Sequence, residues 1–420
     1  MAIGETGQKA SLGFSDMIQY ITFLQSIMNE MANLKMSCRM RSSLFSLFLV
    51  LLAFVGPAVA IEPAQIPAPP EVGAKAYILA DHNSGRVLAE SNADQRLEPA
   101  SLTKIMTAYV VFRELAKGNL KLDTMVTVSE KAWRTEGSRM FAQVGAQISV
   151  ENLLKGMIVQ SGNDASVALA EHVAGDEAVF VQVMNQNAER LGMKNTHFKN
   201  SMGLPDPEHY TTARDLLLLT SALIGEFPEY YKWHSIKEFL FNNIKQTNRN
   251  RLLWLDSTVD GVKTGHTDGA GYCLVTSALR DGMRLIAVVL GTKSDKERAQ
   301  ANQTLLNYGF RFYETRNLYK ANEKLRESRV WKGETPMAEL GLLKDFYVTF
   351  PRGQYQTLKA SMEVNNSAVA PVAQGDKLGS IKVELKDQII GQADLVSLKP
   401  IPEGGFFRRA LDSLQLMFKK

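Results

Sequence analysis

Strand-like segments stand at both ends of a long helical block, and this order limits the fold more than any other feature of the chain. Ala76-Tyr77-Ile78-Leu79-Ala80 and Arg86-Val87-Leu88-Ala89-Glu90 flank Asn83-Ser84-Gly85, a hairpin signal. Apolar periodicity then predicts a helix from Ser101 through Phe112, and further helices over 150–160, 165–174, 178–191 and 213–223. After Lys237 the strands return, at 238–241, 272–276 and 284–290, and a last helix covers 296–308. The early hairpin and the late strands each need partners, and together they make one sheet with the helical block packed on it. The expected class is α+β.

From about Leu318 the texture changes to short alternating segments, at 330–331, 346–350, 358–364 and 380–385, punctuated by Gly and Pro. That pattern predicts a small all-β second domain. A length of 420 residues suits two domains, and 45% hydrophobic with 22% charged residues suits a chain that buries a full core. A net charge of +4 gives no reason to expect nucleic acid as a partner.

The one strong apolar run, Leu44 to Val55, is preceded by Arg39 and Arg41 and followed by Ala58-Val59-Ala60. A basic start, a short apolar stretch and a small-x-small site make a secretory signal peptide, with an attached signal-anchor as the alternative. Met36 and Met40 each offer a start closer to that run. Cleavage leaves Cys273 as the single cysteine, and a lone cysteine in an exported chain reads as a small buried hydrophobe. The expected organisation is a leader over 1–60, a Pro-rich lead-in over 61–74, a main α+β domain over 75–317, the β domain over 318–402 and a terminal helix over 403–420.

Three short motifs carry the chemistry: Ser101-Leu102-Thr103-Lys104, Ser161-Gly162-Asn163 and Lys263-Thr264-Gly265. Each alone has a plain reading, as a helix N-cap with a solvated lysine, a turn, or the end of a strand. As an ordered set on an exported chain they point to nucleophilic catalysis. Residues at i and i+3 share a helix face, so Ser101 and Lys104 meet. A hydroxyl is a poor nucleophile without an adjacent base, and a lysine becomes one when burial and nearby cations lower its pKa. Ser161 can pass a proton between Lys104 and a leaving nitrogen. Asn163 offers a donor and an acceptor to a peptide-like substrate, and Lys263 adds a cation. Thr264 adds a hydroxyl, and Gly265 permits close backbone approach.

These residues resemble the penicillin-recognising serine enzymes. More closely, the chain is similar to the low-molecular-mass penicillin-binding proteins that are serine-type D-alanyl-D-alanine carboxypeptidases. The likeness runs from about Lys75 onward and includes Pro99-Ala100-Ser101, Gln160-Ser161-Gly162-Asn163-Asp164-Ala165, Asn248-Arg249-Asn250 and Asp260-Gly261-Val262-Lys263-Thr264-Gly265-His266-Thr267. The resemblance implies a serine β-lactamase/transpeptidase-like domain, an antiparallel sheet with a helical cluster. It implies Ser101 as acyl-ester nucleophile, Lys104 as its proton acceptor and Ser161 as the third member of the trio. Asn163, Lys263 and Thr264 would bind substrate, Arg249 would help hold its terminal carboxylate, and the backbone N–H groups of Ser101 and His266 would form the oxyanion hole.

The implied substrate is the peptidoglycan stem pentapeptide, with β-lactams as covalent inhibitors. Class A β-lactamases share two of the motifs, but no acidic loop motif follows Lys194 to supply a deacylating Glu, and the second domain argues against them. A D,D-endopeptidase acting on cross-links needs the same site. A catalytically weak wall scaffold is a further alternative, against which the intact motifs argue.

At the C-terminus, Phe407, Leu411, Leu414 and Phe418 fall on one helical face, with Leu416 breaking the polar side. A basic amphipathic helix of this kind reads as an interfacial membrane anchor, and the alternative is a helix packed on the β domain. The implied location is the periplasm, at the outer face of the cytoplasmic membrane. The six histidines show no metal-ligand spacing, and no phosphate-binding glycine motif is present, so neither metal nor cofactor is expected.

Overall fold

The structure, a computed structural model, describes residues 66–365 and 367–418. The leader over 1–60, with its signal peptide, and residues 61–65 of the Pro-rich lead-in lie outside the described residues. From Ile66 the chain runs without regular structure along the catalytic domain, where Tyr308 and Tyr77 donate to the carbonyls of Pro67 and Pro70.

The central sheet unites both ends of the helical block. Strand β1 (Ala76–Asp81) pairs with β2 (Val87–Ser91) as the expected hairpin, and every residue of β1 is buried. A small hairpin of β3 (Met125–Thr127) and β4 (Gln147–Ser149) lies within the helical block. The predicted strand at 238–241 is β5 (Glu238–Phe241), but it pairs only with β6 (Ile244–Thr247) and stays off the main sheet. The sheet is completed by β7 (Val259–Thr267), β8 (Gly271–Arg280) and β9 (Met283–Thr292), in the order β2-β1-β9-β8-β7, antiparallel throughout. The motif Lys263-Thr264-Gly265 therefore lies within an edge strand rather than at a strand end.

Period-two alternation splits this sheet between two cores. Ile78, Val275, Ile286 and Val288 join the helical side, against Ile105, Met106 and Tyr109. Leu79, Leu274, Ala287 and Val289 join the other, against Leu305, Leu306 and Phe310. The helical side contains α1 (Thr103–Ala116), α2 (Asn163–Ala174), α3 (Glu177–Arg190) and α4 (Ala213–Glu226), and the opposite side is covered by α5 (Asp295–Phe312). The expected helix at 150–160 is α-helical only over Val150–Lys155, after which Gly156–Gln160 form a wider π-turn that ends at Ser161.

The C-terminal β domain has its own core around Val330, Leu340, Val348, Phe350 and Ile381. Its joint with the catalytic domain is a polar knot. Buried Asp81 accepts from the Ser84 and Thr315 hydroxyls, the Ser84 hydroxyl meets that of Thr349, and Arg86 donates to the Thr349 carbonyl.

The chain closes with α6 (Phe406–Phe418). This helix meets the β domain through its polar side. Asp412 is buried and accepts from the Arg329 side chain at 3.2 Å and the Lys332 backbone at 2.5 Å. Phe406, Phe407, Leu411, Leu414, Met417 and Phe418 all remain exposed, between 59% and 86%. Leu416, four residues from Asp412, is half-buried on the polar side that meets the β domain, apart from the exposed apolar face.

Candidate active site

The nucleophile candidate stands on a tight turn. Ala100–Leu102 form a 3₁₀ turn that runs into α1, and Ala100 sits at φ +47°. Ser101 therefore precedes the α-helix and does not cap it, since the N-cap position is Leu102 and carries no side-chain hydrogen bond. The i, i+3 relation survives this change, because the 3₁₀ turn also brings such residues together. Lys104 Nζ lies 2.9 Å from Ser101 Oγ.

Lys104 is held on two further sides. Its Nζ is 2.7 Å from Asn163 Oδ1 and 2.6 Å from the Met202 carbonyl oxygen. Asn163 opens α2 and in turn donates through Nδ2 to the Glu136 carbonyl at 2.5 Å. Ser161, at φ +67°, turns the chain between the π-turn and α2, and its Oγ accepts from Lys263 Nζ at 2.9 Å. Lys263 also donates to the Thr264 carbonyl at 2.9 Å. Strand β7 can lie this close to the nucleophile turn because residue 265 is glycine: a Cβ there would stand 3.1 Å from the Pro99 carbonyl oxygen.

These groups line one cleft of about 430 Å³. Ser101, Ser161, Asn163, Arg249, Thr264, Gly265 and His266 all contribute to its wall, while Lys104 and Lys263 lie buried behind it. The nine predicted site residues are thus brought together. Burial and the Arg249 charge lower the Lys104 pKa to about 7, against a smaller opposing pull from Asp164. Burial, Lys104, Arg249 and Arg298 push Lys263 well below the usual lysine range. A neutral Lys104 has two N–H bonds and one lone pair. The carbonyl oxygens of Asn163 and Met202 can only accept, so they take the two N–H groups and leave the lone pair to the Ser101 hydroxyl.

Residues 63–294 match the D-alanyl-D-alanine carboxypeptidase family, and residues 313–403 match the penicillin-binding protein 5 C-terminal domain. The chain belongs to the D-alanyl-D-alanine carboxypeptidase family. It is 46% identical over 362 residues to D-alanyl-D-alanine carboxypeptidase DacA of Escherichia coli (strain K12), covering 84% of this chain and 90% of that one. Penicillin-binding protein 5 from Haemophilus influenzae has a similar structure, with a TM-score of 0.77 at 42% identity over 80% of this chain and all (100%) of that chain. Penicillin-binding protein D2 from Listeria monocytogenes, in its ampicillin-bound form, is 32% identical with a TM-score of 0.53, covering 57% of this chain and 100% of that chain. The protein is accordingly a serine-type hydrolase of the D-alanyl-D-alanine carboxypeptidase class with the penicillin-binding protein 5 fold.

Several groups in this cleft escaped sequence reasoning. Arg298, from α5, lines the cleft and donates to the Gly265 carbonyl at 3.0 Å, with its guanidinium over the Tyr272 ring. Tyr272 in turn packs on His266 with ring centroids 4.0 Å apart. A lone arginine in an amphipathic helix carries no motif, so only the packing of α5 reveals it. The Met202 and Glu136 carbonyls are backbone groups and leave no trace in residue identity. Arg249, unlike Arg298, has no hydrogen bond or ion pair among the described residues. Two buried histidines brace the motif segments from behind: His209 Nε2 meets the Thr103 hydroxyl at 3.0 Å, and His234 Nδ1 meets the Val262 carbonyl at 3.0 Å. Burial lowers both pKa values to about 4, so each serves as a neutral ring. Cys273 is buried in β8, and burial pushes its thiol up to about 11. Among the described residues no cluster could hold a metal ion, and no helix is long and apolar enough to cross a membrane.

Proposed function

We propose that Ser101 attacks the carbonyl of the penultimate D-Ala of a peptidoglycan stem pentapeptide while neutral Lys104 takes its proton. The developing oxyanion sits between the backbone N–H groups of Ser101 and His266, a position where preorganised donors contribute most. The substrate carboxylate binds Arg249, whose guanidinium is free of protein partners, with the Thr264 hydroxyl beside it. Ser161, held by Lys263, returns the proton to the departing amine. The C–N bond breaks, D-Ala leaves, and the acyl group remains on Ser101 until water hydrolyses the ester. The observation that carries this reading is the contact of Lys104 Nζ with Ser101 Oγ, Asn163 Oδ1 and the Met202 carbonyl in one buried position. β-Lactams present a similar carbonyl and carboxylate, and would acylate the same serine.

The test is D-Ala release from a stem pentapeptide ending in D-Ala-D-Ala, with mass spectrometry of the enzyme after benzylpenicillin. Release together with an adduct at Ser101 is expected. An adduct without release would sink the carboxypeptidase step and favour cleavage of cross-links instead.

The signal-like leader sequence and the exposed apolar face of α6 support a location at the outer face of the cytoplasmic membrane. Six exposed apolar residues on a helix tethered through Asp412 give an interfacial element whose apolar side faces away from the β domain. Deleting residues 406–420 is expected to abolish co-sedimentation with anionic phospholipid vesicles while leaving D-Ala release from a soluble peptide unchanged. Vesicle binding that survives the deletion would remove α6 as the anchor.

A further inference from the structure

Beside the Ser161–Asn163 turn lies a buried carboxylate with no role in the chemistry above. Asp164, in the first turn of α2, is 1% exposed and has no ion-pair partner among the described residues. Its Oδ1 accepts from the backbone N–H of Met140 at 3.0 Å and of Ala165 at 2.9 Å, and its Oδ2 accepts from the N–H of Ala142 at 3.1 Å. The preceding residue grips the same segment: the Asn163 backbone N–H donates to the Ser138 carbonyl at 2.7 Å, and its side chain donates to the Glu136 carbonyl at 2.5 Å. Two consecutive residues thus hold a strip over 136–142 at four backbone points. That strip supplies Gly137 and Ser138 to the cleft wall. From its other side, Gln246 of β6 donates to the Met140 carbonyl at 3.0 Å.

A buried charge is costly unless hydrogen bonds or a partner offset it. Here three N–H donors and the N-terminus of α2 do so, without neutralising the charge. The Arg249 cation disfavours a charged Lys104, Lys104 and Lys263 lower one another's tendency to hold a proton, and Asp164 is the anion that opposes them.

We propose that Asp164 is a positioning residue, tying the 136–142 strip over the Ser161–Asn163 turn and serving as the fixed counter-charge of Lys104. This rests on Lys104 being the proton acceptor, as proposed above. The counter-charge favours protonated Lys104, so its removal makes the amine neutral at lower pH. The tether keeps the Asn163 amide oriented, which fixes one of the two acceptors on Lys104.

The experiment uses the Asp164→Asn variant of the full chain. An asparagine keeps the shape but removes the charge, and its NH₂ group faces a backbone N–H that has lost its acceptor. The acidic limb of kcat/KM against pH for D-Ala release is expected to move down by roughly one pH unit. Hydrogen exchange at the Met140 and Ala142 amides is expected to quicken about tenfold or more. A second variant, Gln246→Met, separates the roles: it should quicken exchange in the strip without moving the acidic limb.

An unmoved limb in Asp164→Asn would overturn the counter-charge. Met140 and Ala142 amides that exchange in the wild type as fast as an open loop would overturn the tether, a readout that stands even where the variant fails to fold. An acidic limb that persists in Lys104→Met would instead defeat the assignment of Lys104 as base, while the exchange rates still decide the tether.

Discussion

Ser101→Ala is expected to abolish both D-Ala release and covalent capture of benzylpenicillin, and Lys104→Met to lower the acylation rate by roughly 10²–10⁴-fold. Among the described residues the serine has one basic group within hydrogen-bond reach, the Lys104 amine at 2.9 Å. A methionine there fills the buried volume but cannot accept a proton. Stopped-flow acylation by a chromogenic β-lactam, read as a rate, measures the effect directly.

The pH dependence follows from the direction of the lysine shift. Lys104 titrates at about 7 rather than near its ordinary value, so the base is lost as pH falls below that point. Acylation should drop about tenfold per pH unit there, giving an acidic limb centred near the Lys104 pKa. Stability runs the same way. Between pH about 7 and the ordinary lysine value, the unfolded chain binds a proton at Lys104 that the folded one does not, so folding stability rises with pH across that window. Lys104→Met removes this burden, and its unfolding midpoint at pH 7 should be no lower than that of the wild type. A fall in both rate and midpoint would mean that the variant damages the core and says nothing of the base.

The contrast between motif residues and their supports shows what a sequence of this kind makes legible. Ser101 and Lys104 are readable because local geometry alone brings i and i+3 together, whether the turn is α or 3₁₀. The sheet was readable from β1, β8 and β9, whose continuous apolar runs match strands covered on both faces. Strand β7 was not, because its Gly261, Lys263, Gly265 and His266 have little intrinsic preference for a strand. Its pairing with β8 decides the matter, and that pairing is a long-range fact. The hairpin of β5 and β6 carries a strand pattern too short to say which sheet it joins. Ser161 illustrates a different gap. Residues 150–160 keep a helical periodicity, yet the last turn widens and the serine takes a left-handed conformation that aims its hydroxyl at Lys263. Arg298, the Met202 carbonyl and Asp164 become visible only when α5, the 200–204 segment and the 136–142 strip close around the motifs.

Gly203→Ala is expected to cost more than any other small substitution near the site, although the residue touches no substrate-binding group by its side chain. Gly203 sits at φ +96°, where an L-residue is strained, and a Cβ there would lie 1.8 Å from the Ala100 carbonyl oxygen and 2.9 Å from the Ser101 nitrogen. Both contacts are backbone, so no side-chain rotation relieves them. One of two segments must yield. If the 200–204 segment moves, the Met202 carbonyl leaves Lys104, and Ser201 loses its bonds to the buried Glu177 carboxylate. If the 99–102 turn moves instead, Ser101 leaves Lys104, and its N–H leaves the place where the oxyanion forms. Displacement of about 1 Å at a reacting group costs on the order of 100-fold in rate. Strain and lost buried hydrogen bonds together should lower stability by about 3 kcal/mol or more. Gly118→Ala separates the two causes. Gly118 also has a positive φ, +76°, but nothing lies within 4 Å of a Cβ built there. It should lose only the about 1–2 kcal/mol of backbone strain and keep its full acylation rate. Denaturant unfolding and benzylpenicillin acylation, measured on both variants, decide between these expectations. Near-wild-type acylation in Gly203→Ala would show that the contact between the 200–204 segment and the nucleophile turn has slack, and that the serine does not depend on it for its position.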